Sequence, residues 1–229
     1  MGYIVLEGGA EFQGHMADAD RRSMALAGSD DARISIIPAA AAPDHNQDRA
    51  GNNGVSWFRA LGARNVRSLS LVDETSANDS AIAEELRQSH LIFLLGGFPG
   101  YLAETLAHSI CWEAILEVEQ AGGVIAGSSA GAMVLCETYY DPFREETSKG
   151  LNLISGACVL PHHDSFGGKW ARRLLEMLPD VILIGIDEET GMINDGLEGA
   201  WRVYGKAGVT LYRHGRKDRF VPGRDFQLQ

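Results

Sequence analysis

The 229 residues carry a net charge of −11 at pH 7, with 20 Lys and Arg against 31 Asp and Glu. Hydrophobic residues at 45% and charged residues at 22% exclude a disordered chain, and the length suits one domain over residues 1–229. The acidic balance argues against nucleic acid, and no apolar run approaches the roughly 18 residues that span a bilayer. Because the start lacks a basic, apolar leader and the three cysteines are too few for a disulfide framework, we expect a cytoplasmic protein.

Short apolar runs alternate with stretches of helical periodicity over the first two thirds of the chain. The runs predict buried strands at Tyr3–Leu6, Arg33–Ile37, Val66–Leu71, Leu91–Leu95 and Val124–Ala126. The periodic stretches predict helices at Ala17–Ala27, Val55–Leu61, Ser80–Arg87, Leu102–Ala107 and Trp112–Gln120. This alternation predicts a single-domain α/β fold with a mostly parallel, doubly wound sheet and helices on both faces.

The last fifty residues have a different pattern, in which short runs are separated by turns that contain glycine. These runs predict a small antiparallel extension on one edge of the sheet, from Val181–Ile186, Gly191–Ile193, Ala200–Val203 and Val209–Tyr212. Residues Ala39–Asn53, which follow a predicted strand, are interpreted as a long polar loop on the ligand-facing side.

The most informative segment is Gly127–Gly131, which has the G-x-S-x-G pattern of a nucleophile elbow with Ser129 at its centre and Ser128 at the x position. An apolar strand precedes it and a helix-compatible stretch follows, as a strand–turn–helix elbow requires. The alternative is a Gly-rich turn that only packs tightly or binds a phosphate at the helix N-terminus.

A nucleophilic serine needs a base, and His162 and His163 directly follow a strand-like run. A metal site that includes these histidines is the weaker interpretation, because no third ligand has suitable spacing. An orienting carboxylate can come from Asp141, Glu145 and Glu146, or from the segment 187–189 after the strand that ends at Ile186.

Two backbone N–H groups are candidates for an oxyanion hole. Ala130 follows the proposed nucleophile at the start of its helix, and Gly97 lies in a Gly-rich turn after a central strand. Glycine permits a close approach of the backbone to a substrate. An ordinary strand-to-helix turn is the alternative for Gly97.

Together these motifs resemble the dipeptidase E and cyanophycinase family of serine peptidases, whose fold is similar to that of class I glutamine amidotransferases. The resemblance covers most of the chain and rests on Leu6–Gly9, Leu95–Gly97, Gly127–Ala132, Pro161-His162 and Gly185–Glu188. It implies that Ser129 is the nucleophile and His162 the base, with His163 as the other possibility. It implies Ala130 and Gly97 as the oxyanion donors.

For the acid, the resemblance favours Glu145 over the segment 187–189 and leaves Asp141 and Glu146 open. Phe98-Pro99 stands where relatives carry Asn or Asp-Gln, and only Arg172 and Arg173 remain of a basic stretch after the histidine. The two departures argue against aspartyl specificity.

We therefore expect a serine-type peptidase that hydrolyses a small peptide or amide substrate without a metal or other cofactor. Arg172 and Arg173 are candidates for binding a substrate carboxylate, unless they form a solvated helix face. A non-catalytic amidotransferase-like domain that binds a ligand or scaffolds a partner is the alternative, and an esterase would use the same residues. Homo-oligomerisation is possible on general grounds.

Overall fold

The computed structural model describes residues 2–213 and 215–228. The fourteen strands assigned there are β1 Tyr3–Glu7, β2 Arg33–Ile37, β3 Asn65–Ser68, β4 Leu91–Leu94, β5 Val124–Ser128, β6 Thr138–Asp141, β7 Glu146–Lys149, β8 Ala157–Leu160, β9 Ile182–Ile186, β10 Thr190–Ile193, β11 Trp201–Gly205, β12 Val209–Arg213, β13 Arg216–Phe220 and β14 Asp225–Phe226. The α-helices assigned there are α1 Met16–Leu26, α2 Gln47–Ala60, α3 Glu74–Ala77, α4 Ser80–Arg87, α5 Pro99–Leu106, α6 Ile110–Gln120, α7 Ala130–Leu135 and α8 Ala171–Met177.

The central sheet has eight strands in the order β14-β11-β10-β1-β5-β4-β2-β3. The five strands β3, β2, β4, β5 and β1 run parallel. The other three are antiparallel to their neighbours and continue the sheet beyond β1. The predicted mostly parallel α/β fold is therefore confirmed.

The C-terminal strands do not all lie on one edge of this sheet. Strands β10, β11 and β14 extend it, whereas β9, β12 and β13 form a second sheet with β8 in the order β13-β12-β9-β8. Strand β9 runs parallel to β8, with Leu160 opposite Gly185, and β12 and β13 add to it antiparallel. The carboxyl ends of β8 and β9 are thereby brought side by side.

The interpretation of Ala39–Asn53 as a polar loop was wrong. Ala39–Asp44 forms a 3-10 helix whose first three alanines are buried, and α2 begins at Gln47. Gly51 of this stretch and the following Gly54 serve helix packing: a Cβ on Gly51 would lie 2.1 Å from Ser68 Oγ, and one on Gly54 would lie 2.7 Å from Ile36 Cδ1. The small residues that resembled a loop are therefore the face by which α2 approaches the sheet.

Side chains of alternate residues in the central strands pack into two apolar cores, one on each face of the sheet. In β1, Ile4 and Leu6 belong to one core and Val5 to the other, as the period of two in a strand requires. Within residues 2–213 and 215–228, no helix is both long enough and apolar enough to cross a membrane.

Candidate active site

Ser129 lies at the turn between β5 and α7, with φ 48° and ψ −111°, a strained conformation for a residue with a side chain. The flanking glycines are required by space. A Cβ on Gly127 would lie 2.5 Å from the Gly131 carbonyl carbon, and one on Gly131 would lie 2.2 Å from the Leu94 carbonyl oxygen. The G-x-S-x-G pattern thus has the tight strand-to-helix packing of a nucleophile elbow.

His162 follows β8 and brings its imidazole to the elbow, where Nε2 lies 3.1 Å from Ser129 Oγ. The backbone N–H of His162 donates to the Gly8 carbonyl at 2.7 Å, and the residue has φ 49°. A Cβ on Gly9 would lie 2.2 Å from the imidazole Cε1, so the loop after β1 must lack a side chain there. Phe166 stacks on the imidazole ring, with centroids 4.7 Å apart.

The second ring nitrogen of His162 contacts Glu188, since Nδ1 lies 3.0 Å from Oε1. The same oxygen accepts a hydrogen bond from Ser165 Oγ at 3.1 Å, and the Glu188 backbone N–H donates to Asp164. The hydrogen bond from His162 holds the pKa of Glu188 below its ordinary value of 4.5. Ser129, His162 and Glu188 therefore form one hydrogen-bonded chain with the carboxylate ionised at neutral pH.

Glu145 does not occupy the position beside His162 that the resemblance led us to expect. It lies in the turn between β6 and β7 with its side chain 75% exposed, and its contacts are with Arg173. The alternatives from the same hairpin also do not contact His162: Asp141 accepts hydrogen bonds from the turn, and Glu146 is exposed. Glu188 reaches His162 because their segments follow the parallel neighbours β8 and β9. The strand-end position of segment 187–189 was the sequence signal that pointed to it.

His163 makes a second pair beside the first. Its Nδ1 lies 3.2 Å from Asp187 Oδ1 and its Nε2 lies 2.9 Å from the Tyr212 hydroxyl, so the ring does not point at Ser129. Burial opposes ionisation of Asp187, but hydrogen bonds from His163 and Arg219 outweigh it and hold its pKa below 3.8. Two successive histidines thus contact two successive carboxylates, and only the first pair reaches the elbow.

The two expected oxyanion donors lie at the elbow and at the neighbouring turn. Ala130 is the first residue of α7, where a backbone N–H has no acceptor within the helix. Gly97 is exposed, has φ 141° and uses its N–H in no hydrogen bond among the described residues. A Cβ there would lie 2.2 Å from the Ala40 carbonyl oxygen. The turn approaches the nucleophile, since a Cβ on Gly96 would lie 3.2 Å from Ser129 Cβ.

Arg172 and Arg173 lie exposed on α8. Arg173 donates to the Glu145 carbonyl, lies 3.9 Å from its carboxylate, and stacks over Tyr140. Two residues predicted for different roles therefore pair with each other. Arg172 makes no ion pair in the described part of the chain, which agrees with the alternative of a solvated helix face.

Three carboxyl groups lie beneath and beside the elbow. Glu7 and Asp20 are buried, and burial raises the pKa of both, that of Asp20 to about 7. Trp57 Nε1 donates to Asp20 at 2.8 Å. Glu11 accepts from Ser128 Oγ at 2.9 Å and from the Gly96 N–H at 3.3 Å. No sequence pattern described above points to these three carboxyl groups as site residues.

The described residues contain no group of three or more His, Cys, Asp or Glu side chains arranged to hold a metal ion. In particular, both ring nitrogens of His162 and of His163 are engaged with protein groups, as described above.

Comparison with curated proteins identifies cyanophycinases as relatives. The chain is 30% identical over 220 residues to the cyanophycinase of Geminocystis herdmanii (strain PCC 6308), which covers 91% of this chain and 79% of the relative. It is 28% identical to that of Trichormus variabilis, with 91% and 72% covered.

Solved structures of peptidases share the fold. A crystal structure of a peptidase from an acI-B1 Actinobacterium has a TM-score of 0.87 and 28% identity, and the match covers 99% of this chain and 96% of that one. A putative peptidase E from Listeria monocytogenes EGD-e, at a TM-score of 0.66 and 18% identity, covers 90% and 100% and shares the fold alone. The model of peptidase family S51 matches residues 4–198, and with the elbow and the fold in place the chain belongs to this family of peptidases.

Proposed function

We propose that this peptidase cleaves an amide bond with a triad of Ser129, His162 and Glu188. Ser129 Oγ attacks the amide carbonyl while His162 Nε2 takes its proton and later delivers it to the leaving amine. Glu188 accepts the hydrogen bond from Nδ1, which fixes the tautomer and stabilises the imidazolium that forms. Water then attacks the acyl-enzyme. His162 takes a proton from this water and returns it to Ser129 Oγ as the acid product leaves.

The oxyanion of the tetrahedral intermediate is stabilised by the N–H groups of Ala130 and Gly97. Both are backbone donors, one at a helix start and one in the glycine turn beside the elbow, so they are held in place before the reaction begins. A donor of this kind is typically worth about 3–4 kcal/mol of transition-state stabilisation.

The observation that carries this proposal is the distance of 3.1 Å between Ser129 Oγ and His162 Nε2. A non-catalytic ligand-binding or scaffolding domain, the alternative from sequence, would retain the elbow as packing geometry and would not need a base at hydrogen-bond distance from the serine. An esterase shares the triad, but membership of a peptidase family favours the amide.

The substrate that we propose is a short peptide. Relatives named cyanophycinases and a structural neighbour named peptidase support peptide-bond chemistry. Aspartyl specificity has no support at the position after the glycine pair, where Phe98 stacks on the exposed Phe143 with ring centroids 4.4 Å apart.

Labelling with a fluorophosphonate probe, combined with turnover of paired amide and ester peptides, tests the proposal. Wild type and the control Ser80→Ala, an exposed serine at the start of α4, should both be labelled, whereas Ser129→Ala should not. We expect amide turnover to fall by about 10³-fold or more in Ser129→Ala. Equal labelling of wild type and Ser129→Ala would refute the assignment.

A further inference from the structure

The Glu11 carboxylate lies beside the proposed nucleophile. Its Oε1 and Oε2 are 3.1 and 3.3 Å from the point where a Cβ on Gly96 would stand, and Ser129 Cβ is 3.2 Å from the same point. Hydrogen bonds from the Ser128 hydroxyl and the Gly96 N–H hold the carboxylate there. The Glu11 carboxylate and the Ser129 side chain therefore meet at the same point of the Gly96 turn.

Within the described residues, Glu11 forms no ion pair with a Lys, Arg or His nitrogen within 4.0 Å. The neighbouring group beneath it is a second carboxyl group and adds no positive charge. This is the buried Glu7, which lies opposite Ser128 in the pairing of β1 with β5. A negative charge near a developing oxyanion raises the energy of the transition state, since like charges repel strongly where water is scarce. A substrate that places a cation against Glu11 removes that repulsion.

Glu11 also lines an open groove of about 690 Å³ between the loop after β1 and helix α2. The groove is further lined by Phe12, Gln13, Asn53 and Trp57. Arg49, the basic residue of the lining, has its guanidinium Nε bonded to Asn46 Oδ1 at 2.7 Å. The groove is wide enough for a terminal residue or a long side chain, and Glu11 borders both this groove and the elbow, where it bonds Ser128.

We propose that Glu11 recognises a positively charged nitrogen on the peptide, adjacent to the amide that Ser129 attacks. The nitrogen is either the free α-ammonium of an N-terminal residue or the ammonium or guanidinium of a basic side chain, since both offer the same charge and donors to a carboxylate. This inference rests on the proposed function in one respect, that Ser129 marks the position of the reacting carbonyl.

Peptide binding to the inactive Ser129→Ala variant, measured by isothermal titration calorimetry, tests the inference without turnover. One pair of short peptides differs only in a free or acetylated N-terminus. The other pair, acetylated in both members, differs only in Arg or citrulline. We expect the cationic member of at least one pair to bind about 10- to 100-fold more tightly than its neutral partner. The pair that shows the difference identifies the source of the nitrogen.

The double variant Ser129→Ala/Glu11→Gln should lose that preference, because Gln retains an acceptor for the Gly96 N–H and a partner for the Ser128 hydroxyl but not the charge. Ser129→Ala/Asp18→Asn, which removes an exposed carboxylate from α1, should keep it. Equal affinities within both pairs, no binding of either cationic peptide at millimolar concentration, or a preference that survives Glu11→Gln would overturn the inference. Fluorophosphonate labelling of wild type and Glu11→Gln reports separately on Ser129. If Ser129 is labelled but calorimetry shows no preference for the cationic peptide, only the role of Glu11 is refuted. If calorimetry shows the preference but Ser129 is not labelled, only the triad is refuted.

Discussion

Ser129 occupies a backbone conformation that costs free energy, and its surroundings explain why it persists. The residue caps no helix donor with its side chain, yet its N–H donates to the Glu7 carbonyl at 3.0 Å and its carbonyl accepts from Met133. Strand β5 and helix α7 are packed through Gly127 and Gly131, so relaxation of the turn would separate them. The strain leaves Oγ pointing at His162.

The role of Glu188 can be tested against the residue that the sequence favoured. We expect Glu188→Gln to lower kcat by about 10²- to 10⁴-fold, because the amide cannot stabilise the imidazolium. Glu145→Gln should leave peptide turnover within about twofold of wild type, since the side chain is exposed and contacts Arg173. Steady-state kinetics on one peptide amide decides between them, and a larger loss in Glu145→Gln would restore the interpretation from sequence.

At the scale of elements, the carboxyl groups of Glu7 and Asp20 lie where strand β1 meets helices α1 and α2. Asp20 projects from α1, Glu7 ends β1, and Trp57 of α2 donates to Asp20. Burial disfavours the charged form and raises the pKa of both acids, so the native packing of these elements favours protonated carboxyl groups.

The stability of the protein should therefore depend on pH through Asp20. Because its pKa in the folded state is raised from 3.8 to about 7, the contribution is fully present below pH 4 and is lost as pH rises through 7. A shift of this size corresponds to at most about 4 kcal/mol. Asp20→Asn should flatten the unfolding free energy between pH 4 and 7 and be the more stable protein at pH 8, whereas Asp18→Asn should follow wild type. Urea unfolding at each pH measures this, and a parallel pH profile in Asp20→Asn would contradict it.

The second histidine–carboxylate pair also acts between elements. His163 links the segment after β8 to Asp187 after β9 and to Tyr212 in β12, and a Cβ on Gly185 would lie 2.3 Å from its Cδ2. The pair therefore aligns the two strand ends from which His162 and Glu188 project. It depends on three separate strands of one sheet.

At the scale of the whole molecule, the three cysteines report on the intact core. Cys111, Cys136 and Cys158 are free and buried, and burial raises the pKa of each thiol, that of Cys158 to about 12. We expect iodoacetamide at neutral pH to leave peptidase activity unchanged and to modify these residues only after unfolding, because neither access nor thiolate is available in the native state. Mass spectrometry of native and denatured samples measures the labelling. Rapid native modification together with loss of activity would contradict a serine nucleophile.

Local patterns were sufficient for the five parallel strands and for the strand–turn–helix at Ser129. The five parallel strands are apolar runs bounded by turn residues, and the small residues around Ser129 predict a strand–turn–helix by themselves. The pattern failed for the first half of α2, because Gly51 resembles a loop residue until the sheet beneath it is known to require a small side chain there. For the acid, the local pattern left Glu145 and the segment 187–189 as alternatives, and the family resemblance favoured Glu145, whereas His162 contacts Glu188.

What the sequence alone determined is the set of groups whose geometry is local: the elbow at Ser129, the histidine after a strand and the alternation of strands and helices. Only the tertiary structure decided which carboxylate meets His162 and that Glu11 lies beside Ser129. Both depend on the pairing of β8 with β9 and on the loop after β1 approaching the Gly96 turn. Contacts between segments distant along the chain are set by how strands pair and cores pack, which spacing along the sequence does not encode.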